Sequence, residues 1–217
     1  MEKILFIGNS YTYFYDMPEI FRALAEENGA HVQVDAVTKG GRKLYENLID
    51  GDEKKEAINA LCRQNKYDIL FLQEQSYLAI VDYPLFERGI KGLIQEVKPQ
   101  KTILYSTWGR KGGCPLLDTL AMSSEEMTDG LSQAYIKAAS SSGAEISPVG
   151  KCFCQINRAF PEIELYDPDL SHPSYLGSCV AAVCHFRTTF GKMPEKHASL
   201  KAEKADIQKI FSVIEKV

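Results

Sequence analysis

The chain lacks the long apolar runs of a membrane protein and the basic charge of a nucleic-acid-binding protein. None of its apolar stretches approaches the roughly 20 residues that cross a bilayer. It carries 25 Lys and Arg against 29 Asp and Glu, and the resulting net charge of -4 would attract neither nucleic acid nor anionic lipid. The apolar segment at 4–8 is too short for the core of a signal peptide. We therefore expect a cytoplasmic protein whose partners include neither nucleic acid nor a membrane.

Six cysteines are present, but they lack the spacing of a zinc finger. Cys152 and Cys154 form a C-x-C, and no second close pair completes a set of four thiolate ligands. Because the expected compartment is reducing, free and mostly buried thiols are favoured over disulfides. His31, His185 and His197 are scattered along the chain and form no ligand cluster with carboxylates. We therefore predict no metal and no cofactor.

Short apolar runs alternate with longer amphipathic segments, which is the pattern of βαβ units. The predicted strands are residues 3–7, 31–37, 67–73, 102–106 and 144–149. The predicted helices are 18–28, 42–49, 53–65, 84–97, 124–142, 150–160, 173–190 and 199–216, with long loops at 108–122 and 161–172. No repeat or linker divides the chain, so we predict a single domain over 1–217. Its predicted fold is a three-layer α/β/α sandwich with a flavodoxin-like, mainly parallel five-stranded sheet.

Gly8-Asn9-Ser10 directly follows the first predicted strand. In parallel sheets the site lies beyond the carboxyl ends of the strands, so residues after positions 7, 37, 73, 106 and 149 are able to meet there. Glycine allows a sharp turn, and a serine next to it would direct its hydroxyl into the crevice. A serine in this position is more commonly a turn or helix-cap residue, so this motif alone is a weak indication of a nucleophile.

Asp169-Leu-Ser-His172 strengthens the case for a nucleophilic serine. In a tight loop the Asp169 carboxylate can accept a hydrogen bond from one ring nitrogen of His172, which fixes the tautomer and leaves the other nitrogen free as a base. Asp167 is a competing carboxylate, but its offset of five residues makes a local contact harder. The alternative is a solvated loop histidine beside a capping aspartate.

Two other strand ends carry candidate oxyanion donors. Gly40 and Gly41 follow the second strand, where a backbone N–H could face an oxyanion without obstruction from a side chain. Gln73 and Gln75 follow the third strand and offer carboxamide donors, each worth about 3 kcal/mol of barrier in an oxyanion hole. A plain turn and a satisfied strand-end amide are the structural alternatives. The order Ser, Gly, Gln, Asp-x-x-His favours a hydrolase.

From ILFIGNSYT near its start to DLSHPSYLG near its end, the chain resembles the SGNH (GDSL-like) serine hydrolases. The resemblance implies a Ser10 nucleophile whose own N–H is one oxyanion donor, with Asp169 and His172 completing the triad. It also implies a second donor from the N–H of Gly40 or Gly41, and a third from Gln73 or, less favoured, Gln75.

The sequence departs from the usual family pattern at two points. Asn9 replaces the aspartate of Gly-Asp-Ser, which keeps the shape of the side chain but removes its charge. LQEQS replaces the Gly-x-Asn-Asp block whose asparagine is the third donor. Both departures resemble a bacterial subgroup with GNS-[YF]-T, LQ-x-x-S and D-x-x-HPS, whose members are often described only as domains of unknown function. Some neighbours of that subgroup act on acetylated carbohydrates.

We therefore predict a serine esterase whose partner is a small-molecule ester, with acetyl on a carbohydrate as the favoured substrate. Asn9, Tyr11 and Trp108 are the candidate substrate contacts, although the aromatic residues could instead pack the loops. A thioesterase or lysophospholipase of the same fold is one alternative. A non-catalytic module that binds a small ligand is another, but a nucleotide is not expected because G-x-x-x-x-G-K-[ST] is missing.

Overall fold

Five short strands form one sheet in the computed structural model, which describes residues 1–217. They are β1 (Glu2–Gly8), β2 (Val32–Thr38), β3 (Ile69–Leu72), β4 (Lys101–Tyr105) and β5 (Glu145–Ser147). Every neighbouring pair is parallel and the order is β2-β1-β3-β4-β5. This is the flavodoxin-like order, so the predicted sheet is confirmed.

Ten α-helices and two 3-10 helices connect and follow the strands. The α-helices are α1 (Ser10–Tyr13), α2 (Met17–Glu27), α3 (Glu53–Gln64), α4 (Leu78–Val81), α5 (Tyr83–Val97), α6 (Pro115–Leu120), α7 (Ser124–Ser142), α8 (Val149–Ala159), α9 (Tyr175–Phe190) and α10 (Lys204–Ile214). The 3-10 helices are Phe14–Asp16 and Leu44–Leu48. No helix is both long enough and apolar enough to cross a bilayer.

The helices cover both faces of the sheet because successive strand side chains point in opposite directions. Ile4 and Phe6 of β1 belong to a core that also contains residues of α2, α8, α9 and α10. Leu5 and Ile7 belong to a second core with residues of α3, α5 and α7. The chain is thus a three-layer α/β/α sandwich, as predicted. The carboxyl ends of β1 and β3 lie side by side at its centre, since Ile7 pairs with Leu72.

Several predicted boundaries differ from the structure. The predicted loop at 108–122 contains α6, which begins at Pro115, a residue that suits the first turn of a helix. The helix predicted to start at Pro173 begins at Tyr175, where Ser174 accepts the Gly177 N–H at 3.1 Å. The last helix begins at Lys204 rather than at residue 199. The segment at 42–49 forms a 3-10 helix only.

Candidate active site

Ser10 is placed at the carboxyl end of β1 by the residues on either side of it. Asn9 caps α1, and its Oδ1 accepts the Tyr11 N–H at 3.2 Å, so the helix starts immediately after β1. Gly8 is required for the same turn, because a Cβ there would overlap Thr12 Oγ1 and lie 2.7 Å from Gln73 Oε1. Ser10 is therefore the first helical residue beyond the carboxyl edge of the sheet.

The structure brings Ser10, His172 and Asp169 together in a hydrogen-bonded chain. Ser10 Oγ lies 2.8 Å from His172 Nε2, and His172 Nδ1 contacts Asp169 Oδ2. A carboxylate beside Nδ1 holds the proton on that nitrogen, which leaves Nε2 able to accept the serine proton. His172 lies 162 residues from Ser10 in the sequence but only three from Asp169. Asp169 and His172 share a tight turn in which Leu170 has a left-handed φ of 62°.

Backbone hydrogen bonds hold the Asp169 carboxylate in place and keep it charged. Its Oδ1 accepts the N–H groups of Ser171 at 3.0 Å and His172 at 2.9 Å. Burial acts to raise the pKa of Asp169, but the hydrogen bonds from the His172 ring and these N–H groups outweigh it, so the pKa lies below its usual value. Asp167 does not take this role, because its carboxylate accepts the Tyr15 hydroxyl at 2.8 Å.

Aromatic rings fix the orientation of the imidazole. Phe14 stacks on the His172 ring with centroids 4.2 Å apart and planes 7° apart. The Tyr11 ring meets the imidazole edge-on at 5.5 Å. These contacts limit rotation of the ring, so Nε2 is held toward Ser10.

A small cavity of about 170 Å³ opens above Ser10. Eight residues line it: Asn9, Ser10, Tyr11, Gly41, Gln75, Ser76, Arg110 and His172. Seven of these residues follow the ends of β1, β2, β3 and β4, and the eighth, His172, belongs to the Asp169–His172 turn. The cavity therefore lies where a parallel sheet is expected to bind its ligand.

Only one member of each pair of candidate oxyanion donors reaches this cavity. Gly41 lines it and has a φ of +68°, a conformation that favours glycine, whereas Gly40 does not line it. Gln75 lines the cavity as well. Gln73 lies behind it, where its Oε1 accepts the Asn9 N–H and the Thr12 hydroxyl, each at 2.9 Å, and its Nε2 donates to the backbone oxygen of Glu74. Gln73, the favoured third donor in the sequence analysis, thus stabilises the turn after β1 and does not face the cavity.

Trp108 does not reach the cavity, contrary to its expected role as a substrate contact. Its side chain is 0% exposed and stacks between Tyr11, with centroids 4.7 Å apart, and Phe153, with centroids 3.9 Å apart. Its Nε1 donates to the backbone oxygen of Ser171 at 3.1 Å. Trp108 therefore packs the loops, which was the alternative to substrate contact, and it supports the turn before His172.

Asn9 and Tyr11 do line the cavity, but both are largely buried. The Asn9 Nδ2 donates to the backbone oxygen of Arg42 at 3.0 Å, which ties the Gly41 loop to the end of β1. The Tyr11 hydroxyl lies 3.1 Å from Ser171 Oγ. Both residues therefore position neighbouring loops of the cavity through hydrogen bonds.

Three site residues were missed by the sequence analysis. Arg110 and Ser76 line the cavity, and Glu74 lies directly behind it with 1% of its surface exposed. Burial raises the pKa of Glu74 to about 8, although its Oε1 accepts the N–H groups of Leu44 at 3.0 Å and Gln75 at 2.6 Å. All three residues follow β3 or β4, so their place at strand ends is the signal that could have found them.

Serine hydrolases contain a serine hydroxyl that is hydrogen-bonded to an imidazole, which is in turn hydrogen-bonded to a carboxylate. Here it lies at the carboxyl edge of a flavodoxin-like sheet. The fold and the site together define an α/β serine-hydrolase class for this chain.

Comparisons with known proteins agree with that class. No family model matches the sequence, and no curated protein matches it. A solved structure of a candidate SGNH hydrolase from Slackia heliotrinireducens is 30% identical, with a TM-score of 0.75 over 87% of this chain and 98% of its own. A DUF4886 family protein from Bacteroides uniformis has a TM-score of 0.80 at 16% identity, over 99% of this chain and 93% of its own. The acetyl xylan esterase AlAXEase has a TM-score of 0.65 at 16% identity, over 87% and 100%.

The chain belongs to the SGNH (GDSL-like) hydrolases, because its identity to the first of these structures extends over most of both chains. As a member of this family it is a hydrolase that acts on ester bonds. The other two structures, at 16% identity, share its fold. The family inferred from GNSYT and DLSHPSYLG is thereby confirmed.

Proposed function

We propose that the protein is a serine esterase that removes small acyl groups, acetyl above all, from carbohydrate esters. The observation that carries this proposal is the chain from Ser10 Oγ through His172 to Asp169 at the floor of a small cavity. Ser10 is the nucleophile, His172 the general base and acid, and Asp169 the group that orients and stabilises the imidazolium.

The reaction proceeds in two acyl-transfer steps. His172 Nε2 takes the proton of Ser10 as Oγ attacks the ester carbonyl, and the oxyanion receives hydrogen bonds from the N–H groups of Ser10 and Gly41 and from the Gln75 amide. His172 then gives the proton to the leaving alcohol as its C–O bond breaks. Water, deprotonated by His172, attacks the acyl-serine and releases the carboxylic acid, while Asp169 stays ionised throughout.

The dimensions and surroundings of the cavity support a short acyl group and a ring-shaped alcohol. About 170 Å³ is less than the roughly 300–1,000 Å³ of pockets that enclose a drug-sized ligand, so a long acyl chain has no room there. Tyr13 and Tyr15, on either side of Phe14, are 42% and 47% exposed and offer flat apolar surface to a sugar ring. One structure with the same fold is an acetyl xylan esterase.

Replacing Ser10 by Ala tests the nucleophile. We expect hydrolysis of p-nitrophenyl acetate to fall by at least about 10³-fold, and a fluorophosphonate probe to label the wild type at Ser10 but not the variant. Ser140→Ala, which alters an exposed serine of α7, is the matched control and should change neither result. Equal hydrolysis by Ser10→Ala and the wild type would show that the assignment is wrong. A lack of labelling near pH 8 would favour a non-catalytic binding module.

A panel of p-nitrophenyl esters tests the acyl group. We expect kcat/KM to be highest for acetate and to decrease as the chain lengthens, because the cavity cannot enclose longer chains. A clear preference for acyl chains of eight carbons or more would contradict the acetyl proposal and favour the thioesterase or lysophospholipase alternative. The specificity of the alcohol is tested with acetylated oligosaccharides, from which released acetate is measured.

A further inference from the structure

Arg110 is the one residue with a permanently charged side chain among the eight that line the candidate active site. It lies in the segment after β4 and is one of the eight residues that line the cavity above Ser10. Its Nη2 donates to Ser76 Oγ at 2.7 Å, and its guanidinium carbon lies 5.6 Å from the centroid of the Tyr11 ring. These two contacts hold the guanidinium beside the nucleophile.

The charge of Arg110 has no acidic partner within the protein. Arg22, Arg42 and Arg158 each pair with a carboxylate, but no carboxylate oxygen lies within 4.0 Å of Arg110, and its Nε is buried without a hydrogen-bond partner. Arg42, on the neighbouring loop, shows the contrast, because its guanidinium contacts Asn47, Asp52 and the backbone oxygen of Glu46. A half-buried guanidinium that lacks such partners is open to an anion from outside.

The acidic groups nearest to the cavity do not neutralise this charge. Asp169 is engaged by His172 on the far side of the imidazole. Glu74 lies behind the wall, and burial raises its pKa to about 8, so it is mostly uncharged at neutral pH. The cavity therefore attracts negative charge although the whole chain has a net charge of -4.

We propose that Arg110 is a specificity-determining residue that binds a carboxylate carried by the ester substrate. The inference rests on the proposed function of Ser10 as the nucleophile. A guanidinium binds a carboxylate through paired, charge-assisted hydrogen bonds, so it can select an acidic ester over a neutral one of the same size. The carboxylate can belong to the alcohol, as in an acetylated acidic sugar, or to the acyl group, as in a half-ester of a short dicarboxylic acid.

Matched pairs of esters test this proposal and distinguish the two sources. Phenyl acetate and 4-acetoxybenzoate differ by a carboxylate on the alcohol, and the p-nitrophenyl esters of butyric and succinic acids differ by one on the acyl group. In one pair or the other, we expect Arg110→Met to lower kcat/KM for the acidic ester by about 10- to 100-fold and for the neutral ester by less than about 3-fold. Arg110→Lys should retain part of the preference, since it keeps the charge.

Arg88→Met is the matched control, because Arg88 also lies over a tyrosine ring, 4.6 Å from the centroid of Tyr45, but does not line the cavity. It should alter neither pair, and thermal unfolding should show that every variant is folded. Equal loss for the acidic and neutral esters, or no loss for either, would overturn the proposal.

Binding of succinate to Ser10→Ala, measured by calorimetry, separates this proposal from the proposed function. We expect Ser10→Ala/Arg110→Met to bind succinate at least about 10-fold more weakly than Ser10→Ala, with neutral succinamide as the control ligand. This result would support the anion site even if the wild type hydrolysed no ester, in which case only the esterase proposal would fail. Binding that is absent, or that does not depend on Arg110, would overturn the anion site.

Discussion

Gln73 and Gln75 lie two positions apart beyond β3, yet only Gln75 faces the cavity. The Gln73 Oε1 accepts hydrogen bonds from the Asn9 N–H and the Thr12 hydroxyl, both buried. Removing that acceptor would leave two buried donors unpaired, which is costly in free energy. Removing the Gln75 amide would take a donor from the cavity wall instead.

We therefore expect replacement by alanine to affect catalysis at Gln75 and stability at Gln73. Gln75→Ala should lower kcat by about 10²- to 10³-fold with little change in KM, because its amide acts on the transition state. Gln73→Ala should lower the free energy of unfolding by about 1–3 kcal/mol. Steady-state kinetics and urea unfolding of both variants test this. A larger loss of kcat in Gln73→Ala, with unchanged stability, would return the role of third donor to Gln73.

The choice between these glutamines shows which part of the site the sequence could predict. Ser10, Asp169 and His172 follow from strand-end position and from a spacing of three residues that a local turn can satisfy. Which amide faces the cavity depends on contacts between distant loops, such as Asn9 with Gln73, and no local pattern encodes these. Arg110 was missed for the same reason, since its neighbours Tyr11 and Ser76 come from other strand ends.

The central strands were predicted well because each is a short continuous apolar run buried on both faces, and the long helices because their apolar residues recur with a period of 3.6. The elements that were missed are short: α1 and α4 have four residues each and α6 has six. A four-residue helix completes barely one turn and has no periodicity to detect. In α1 the structure depends on the Asn9 cap and on burial of Tyr11 between neighbouring elements. One of these short helices, α1, nevertheless contributes Ser10 and Tyr11 to the cavity.

The segment after β4 supports the Asp169–His172 turn through Trp108. Because Trp108 Nε1 donates to the Ser171 oxygen, Trp108→Phe should keep most of the stacking but lose this hydrogen bond. We expect the free energy of unfolding to fall by about 1–3 kcal/mol, because the buried Ser171 oxygen loses its hydrogen bond and the smaller ring leaves a gap in the core, with little change in KM. Tyr13→Ala is the comparison variant, since Tyr13 is exposed beside the site, and it should raise KM for acetylated oligosaccharides without destabilising the fold. A raised KM with unchanged stability in Trp108→Phe would make Trp108 a substrate contact after all.

Two buried titratable groups lie on different sides of the sheet and affect the whole molecule. His185 of α9 lies in one core among aromatic rings, with Nδ1 2.8 Å from Ser147 Oγ and Nε2 unpartnered. Burial lowers its pKa to about 3. Glu74 lies beside the other core, where its backbone N–H donates to the Tyr135 hydroxyl at 3.2 Å, and burial raises its pKa to about 8.

The pKa shifts of His185 and Glu74 have opposite consequences for stability as the pH changes. Between pH 6.5 and about 3 the unfolded chain protonates His185 and the folded chain does not, so stability falls as the pH falls. Between pH 4.5 and about 8 the folded chain keeps the Glu74 proton and the unfolded chain loses it, so stability falls as the pH rises. The two slopes cancel between pH 4.5 and 6.5. Stability therefore falls by about 1.4 kcal/mol per pH unit through His185 alone from pH 4.5 down to about 3, and through Glu74 alone from pH 6.5 up to about 8.

We therefore expect each neutral replacement to remove the slope on its own side and to expose the slope of the other residue between pH 4.5 and 6.5. Urea unfolding between pH 3.5 and 9 should show that Glu74→Gln loses less stability than the wild type above pH 6.5, while His185→Gln loses less below pH 4.5. The comparison uses slopes, because each substitution also shifts stability at every pH. The double variant should combine both changes, since the two residues share no hydrogen-bond partner and the effects of independent sites add. If either single variant kept the wild-type slope in its own interval, the residue replaced would titrate alike in the folded and unfolded chains.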